Sequence, residues 1–180
     1  MTHMTFRQYL ERGYKGERAT LEDWDAHLTT LFPETRIKRY IEVRSADSQM
    51  PELMPALAAL IKGAFYDNDC LQAAWDLVKA WTWDERMQVY LDSHRDALAA
   101  RIRRYALLDL AKEFFQIAAE GLRRQDVVNS YGEDETIYLK PLKLFLDQGK
   151  CPADILIEKW QGEWRQDIKP LISYTTYKLP

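Results

Sequence analysis

The scarcities of this chain narrow the field before its motifs do. Only two cysteines, Cys70 and Cys151, stand far apart among 180 residues. Neither belongs to a CxxC pair or a Cys/His cluster, so a zinc site and a disulfide scaffold are not expected. The three histidines, His3, His27 and His94, are scattered as well. None has a partner at i+4 that would make a metal pair on a helix, and each reads as a surface or capping residue. Long apolar runs are also missing. The longest stretch, PALAALIKGAFY, is broken by Lys62, well short of the roughly 20 residues needed to span a bilayer. No secretory signal is recognised at the start, no membrane association is expected, and the expected compartment is the cytoplasm. A net charge of -3 and a pI of about 5.7 argue against general attraction to nucleic acid or anionic lipid. Anion chemistry in such a chain has to be local.

What the chain does have is a 47% apolar fraction and enough length for one compact domain with a real core. No repeat, low-complexity linker or second-domain boundary stands out, so residues 1–180 read as a single unit. The expected class is α+β, predominantly helical, with one strand. A short helix in TFRQYLER ends at a break marked by Gly13 and Gly16. Thr20 opens LEDWDAHLTTLF with Asp23 completing a capping box, and Pro33 closes it. Pro51 suits the first turn of a helix striped by Leu53, Leu57, Leu60, Ile61 and Ala64. Further helices are expected from about Leu71 to Trp81, from near Asp84, and from Arg104 to Arg124. Pro141 should begin or kink the next one, and Pro152 should open the one after it. The tail PLISYTTYKLP is aromatic and β-branched, which favours an edge strand or a segment lying across the surface. Trp75, Trp81 and Trp83 are expected at the core margin.

The expected strand runs from Ile37 to Arg44, within KRYIEVRSAD. Alternation places Ile37, Arg39, Ile41 and Val43 on one face and Lys38, Tyr40, Glu42 and Arg44 on the other. Glu42 and Arg44 would then project to one side, about 6.6 Å apart. A carboxylate is a good hard-oxygen ligand for magnesium, and a guanidinium grips phosphate oxygens through two donors. The same pair also reads as an ordinary ion pair on a solvated sheet face. Spacing alone leaves both readings open.

A family comes into view on these residues. Arg39-Tyr40-Ile41-Glu42-Val43-Arg44 with Asp47, followed by a proline-containing turn and an Ala/Leu-rich helix, resembles the last catalytic strand of the glutamine synthetase and carboxylate–amine ligase group. More closely, ATLEDWDAHLTTLFPETRIKRYIEVRSAD is similar to a segment of the glutamate–cysteine ligase family of plant and proteobacterial type. The similarity continues through FYD at 65–67, LLDLAKE, ETIYLKPL and CPADILIEKWQGEW. It covers nearly the whole chain, with its specificity concentrated between Ala19 and Asp67.

The resemblance implies the C-terminal part of a glutamine-synthetase-like catalytic fold, one catalytic strand packed by helices. It implies ATP-dependent ligation of glutamate to cysteine through a γ-glutamyl phosphate, the first step of glutathione synthesis. Mg2+ would be the cofactor, with ATP as co-substrate. By the same resemblance Glu42 looks like a metal ligand and Arg44 like the catalytic, phosphate-binding arginine. Thr29, Thr30 and Arg36, which lead into the strand, are candidates for binding substrate carboxylates; a helix C-terminal turn and a surface arginine are the simpler readings of them. Arg39 is expected in a structural pairing and Tyr66 at the core margin.

Two departures bear on these expectations. RSADSQMP stands where the plant branch has RGADGGPW, which puts the acceptor amine in question. Enzymes of this family are also much longer, so the chain is expected to be inactive alone, and its strand to find partners in the tail, another copy or an upstream part of the ligase. A γ-glutamyl ligase for another amine and a non-catalytic helical interaction module are the alternatives.

Overall fold

The computed structural model describes residues 4–37 and 39–177; His3, Lys38 and the end of the tail, 178–180, lie outside the described residues. The chain divides into two compact units, Met1–Ser48 and Gln49–Pro180. Its content is mostly helical.

The first unit contains α1 (Phe6–Arg12), α2 (Leu21–Thr29), β1 (Thr35–Ile37) and β2 (Ile41–Val43). Both helices start at capping boxes, which satisfy backbone N–H groups that no helical carbonyl reaches. Thr5 and Gln8 cap α1 reciprocally. Thr20 accepts the Asp23 N–H at 3.1 Å, while the Asp23 carboxylate accepts the Thr20 N–H at 2.8 Å. These bonds from Thr20 hold the Asp23 carboxyl below its ordinary range. Phe6 joins the two helices, stacked on His27 at 4.7 Å and tilted against Trp24 at 5.0 Å. His27 therefore packs as a ring in the last turn of α2.

The expected continuous strand from Ile37 to Arg44 is a hairpin instead. β1 and β2 pair antiparallel, with Thr35 opposite Val43, Arg36 opposite Glu42 and Ile37 opposite Ile41. Ile41–Val43 thus finds its partner immediately upstream, and the connection between the strands occupies the middle of the stretch read as extended.

The second unit holds α3 (Met54–Phe65), α4 (Asn68–Val78), α5 (Trp83–Asp96), a two-residue hairpin of β3 (Arg101–Ile102) and β4 (Tyr105–Ala106), α6 (Leu107–Gln125), a 3-10 turn (Glu135–Leu139), α7 (Lys140–Gln148), α8 (Pro152–Gln161) and α9 (Ile168–Thr175). Pro141 and Pro152 sit in the first turns of their helices, where a missing N–H costs nothing. Pro55, not Pro51, takes that place in α3. Asp67 caps α4 by accepting the Cys70 N–H at 2.9 Å, so this helix begins before the expected Leu71. Residues 104–106 belong to the β3–β4 hairpin, which shortens the expected Arg104–Arg124 helix at its start. The tail folds as a helix after Asp167 caps it, against its β-branched composition. Trp83 is 74% and Trp75 50% exposed, so neither packs as the core-margin reading expects. No helix among the described residues is long and apolar enough to cross a membrane.

The core forms where α3 crosses α6. Ala59, Phe115, Ala119, Leu122 and Leu139 cluster there, with Leu60, Leu142 and Leu146 packed around them. The two backbones touch at Gly63 and Gly121. A Cβ at Gly63 would run into the Ala118 carbonyl, and one at Gly121 into the Gly63 carbonyl.

Two features of this unit set measurable outcomes, the first being the helix crossing. Helix propensity alone favours alanine over glycine by about 0.5–1 kcal/mol, whereas forcing a methyl into a closed backbone contact costs about 1–3 kcal/mol. The clash is with main chain, which cannot step aside, so Gly63→Ala lowers stability and the thermal midpoint; a raised midpoint would show the crossing is looser than it looks.

The second concerns Glu85, which caps α5 with Thr82 and takes two bonds from Arg103, at 2.6 and 2.8 Å. These bonds, the Arg103 ones foremost, pull its carboxyl from an ordinary 4.5 to about 2. Because the folded value is depressed, the contribution is fully present above about 4.5 and is lost as pH falls through about 2. NMR titration should find Glu85 ionised well below pH 4.5, and Arg103→Ala should move its midpoint back up.

Candidate functional site

The hairpin brings together three of the residues singled out in the sequence. Arg36 and Glu42 are cross-strand partners, and the Arg36 Nε donates to Glu42 Oε2 at 2.8 Å. Arg44 lies just past β2, its backbone N–H donating to the Glu34 carbonyl at 2.8 Å, which extends the ladder by one bond. Its Nη1 reaches the same Glu42 oxygen at 3.5 Å. Two guanidinium groups therefore flank one carboxylate. The trio carries one positive charge in excess.

Burial on this hairpin is inverted. A solvated two-stranded sheet ordinarily turns its apolar face inward and its charges out. Here the Arg36, Glu42 and Arg44 side chains are only 16%, 31% and 24% exposed, while Ile37 is 82% and Ile41 69% exposed. Sheltering charge is unfavourable unless it is paired, and the Arg36–Glu42 bond supplies that pairing.

The other predicted residues are placed differently. The Thr29 hydroxyl donates to the Ala26 carbonyl at 2.6 Å and the Thr30 hydroxyl to the His27 carbonyl at 2.7 Å, both closing the end of α2. Arg39 is exposed in the connection between the strands. Tyr66 is 76% exposed and borders a cavity of about 520 Å³ beside α3, whose wall includes Lys62 and Glu135. Those two form an ion pair. A second, apolar cavity of about 410 Å³ lies between α4 and α6, lined by Trp75, Trp81 and Phe114 among others. Neither cavity is lined by Arg36, Glu42 or Arg44.

One neighbour escaped the sequence reading. The Arg44 guanidinium sits over the Phe32 ring, 4.9 Å from its centroid. The two residues are twelve apart, and only the hairpin turn brings them together, so no local spacing could have flagged the contact.

As a metal site the trio is partial. Among the described residues no group of three or more His, Cys, Asp or Glu side chains could hold an ion. Magnesium asks for six oxygen ligands, and Glu42 fits as one hard donor of such a set. The cysteines add no metal chemistry: Cys70 is buried, and burial pushes its thiol up; the Cys151 thiol is pushed up by burial as well.

Comparison with known proteins identifies the family. The model of glutamate-cysteine ligase family 2 (GCS2) matches residues 3–173. The chloroplastic glutamate–cysteine ligase of Brassica juncea is 36% identical over 98% of this chain and 34% of its own length. That of Arabidopsis thaliana is 36% identical over 98% of this chain and 33% of its own length, and that of Solanum lycopersicum 34% identical over the same shares. The chain spans about a third of the length of the curated relatives it matches.

The cross-strand pair sets a measurable expectation. Oppositely charged residues facing each other across a hairpin contribute about 0.2–1 kcal/mol. A double-mutant cycle of Arg36→Ala and Glu42→Ala, read by exchange of the Arg44 amide that bonds to Glu34, should return a coupling in that range. Additive effects would mean that the pair does not hold the hairpin.

Proposed function

The chain belongs to glutamate-cysteine ligase family 2, and on that footing we propose that it forms part of an enzyme ligating glutamate to cysteine with ATP. The γ-carboxylate of glutamate attacks the γ-phosphate of ATP, giving a γ-glutamyl phosphate and ADP. The amine of cysteine then displaces phosphate, and γ-glutamylcysteine results. The observation that carries the reading is the sheltered Arg36–Glu42–Arg44 trio on one hairpin.

Such chemistry needs positioned charge more than a protein nucleophile. Arg44 is assigned to the transferred phosphoryl group, whose charge it stabilises. Arg36 neutralises and orients Glu42. Glu42 would supply one carboxylate oxygen to Mg2+, which when bound screens phosphate charge. Thr29 and Thr30 stand at the entrance to the hairpin; contact with a substrate carboxylate requires their hydroxyls to turn away from Ala26 and His27.

We further assign the hairpin to a glutamine-synthetase-like sheet completed by the remaining part of the ligase or by another copy. The exposure of Ile37 and Ile41 supports this, since an apolar strand face in water is unfavourable by about 25 cal/mol per Å². On this reading the chain alone is silent.

The test has two arms. The chain with ATP, magnesium, glutamate and cysteine should release no ADP until the remainder of a family ligase is supplied. In the complete enzyme Arg44→Ala should lower turnover by about 10²–10³, as when a donor to a developing anion is removed, and Glu42→Gln should raise the magnesium requirement. Near-normal turnover with Arg44→Ala would sink the assignment.

A further inference from the structure

The two arginines of the trio are held in different ways. Arg36 commits its Nε to Glu42 at 2.8 Å. Arg44 makes only a 3.5 Å contact through Nη1 with the same carboxylate, at the outer limit of a hydrogen bond. Among the described residues its Nε and Nη2 donate to no protein acceptor. What sits against the guanidinium is Phe32, its ring centroid 4.9 Å from Cζ.

We propose that Phe32 is a positioning residue for Arg44, holding the guanidinium so that its Nε and Nη2 edge meets two oxygens of a phosphate. The inference rests on the reading of Arg44 as the phosphate-binding group. A guanidinium stacked on a ring keeps the donors in its plane available, and an Nε–Nη2 fork matches two phosphate oxygens. A salt bridge of good geometry would occupy those donors; a ring holds the group without spending them. Sequence supports the placement too. Phe32 precedes Pro33, and a residue before proline has a restricted backbone, so the ring is carried on a stiff connection between α2 and β1. Phe32 is 73% exposed, which leaves core packing a poor account of a large apolar side chain at this position.

The experiment uses the 180-residue chain and inorganic phosphate as the probe. NMR follows the backbone amides of the hairpin through a phosphate titration in the unsubstituted chain, Phe32→Tyr, Phe32→Leu and Arg44→Lys, and the Arg44 Nε–H in the three that keep the guanidinium, with a thermal midpoint for each. Before phosphate is added, Phe32→Leu should shift the Arg44 side-chain resonances as the ring current disappears, and Phe32→Tyr should largely keep them. With phosphate, Phe32→Leu should bind about two- to fivefold more weakly, the size of one exposed cation–π contact. Phe32→Tyr should match the unsubstituted chain, and the thermal midpoints should agree. Unmoved Arg44 resonances or unweakened phosphate binding in Phe32→Leu would overturn the role of Phe32 and leave Arg44 as the phosphate group. An unsubstituted chain as indifferent to phosphate as Arg44→Lys, with the remainder of a family ligase supplied as well as without it, would overturn the reading of Arg44, and the role of Phe32 with it.

Discussion

The second unit depends on a backbone-to-backbone approach of α3 and α6 at Gly63 and Gly121. Two helices ordinarily keep 8–10 Å between their axes because side chains stand between them. Removing the side chains at the crossing lets neighbouring residues mesh more deeply, and Ala59, Ala118 and Ala119 continue the small-residue seam on either side. Phe115, Leu122 and Leu139 then fill the space beside it, which is how the 3-10 turn carrying Leu139 and the following α7 are drawn onto the same core. The contact is main chain against main chain, and has no rotamer with which to adapt.

The first unit is organised by another logic. None of its described residues is fully buried, so apolar burial cannot be what chiefly shapes it. Capping boxes at Thr5 and Thr20, the Phe6–His27–Trp24 ring cluster and the hairpin ladder provide its order. Each is a local or short-range device of about 1 kcal/mol, against a backbone entropy of similar size for every residue fixed. Apolar side chains stay exposed in this unit at Phe32, Ile37 and Ile41.

The same distinction explains how far the sequence could be read. The Thr20–Asp23 cap, Pro141 and Pro152 are local signals with local causes, and each sits where spacing placed it. The hairpin was hidden because Arg39 and Tyr40, between the strands, offer none of the Asn-Gly or Asp-Gly chemistry that marks a tight connection. The β3–β4 turn was hidden for a related reason: Arg103 adopts a φ of 51° where glycine or asparagine would be the usual sign, and it is held there by Glu85 and the Ala80 carbonyl, both distant in sequence. In the tail, β-branched composition lost to the Asp167 cap and an apolar helical face, a case of context overriding propensity. At the site, Glu42 and Arg44 were legible as a charged pair, but Arg36 became a partner of Glu42 only through pairing register, and Phe32 a neighbour of Arg44 only through folding of the whole turn.

Register is therefore where fold and chemistry meet. A slip of one residue between paired strands sends every side chain to the opposite face. In most hairpins a buried apolar face forbids the slip, but here Ile37 and Ile41 are exposed and supply little such restraint. Among the described residues the Arg36–Glu42 ion pair and the Arg44 N–H bond to the Glu34 carbonyl contribute to that restraint. The charged residues thus help to fix the alignment that brings them together. The alignment of β2 also sets where Arg44 leaves the strand, and so whether its guanidinium comes to rest over Phe32.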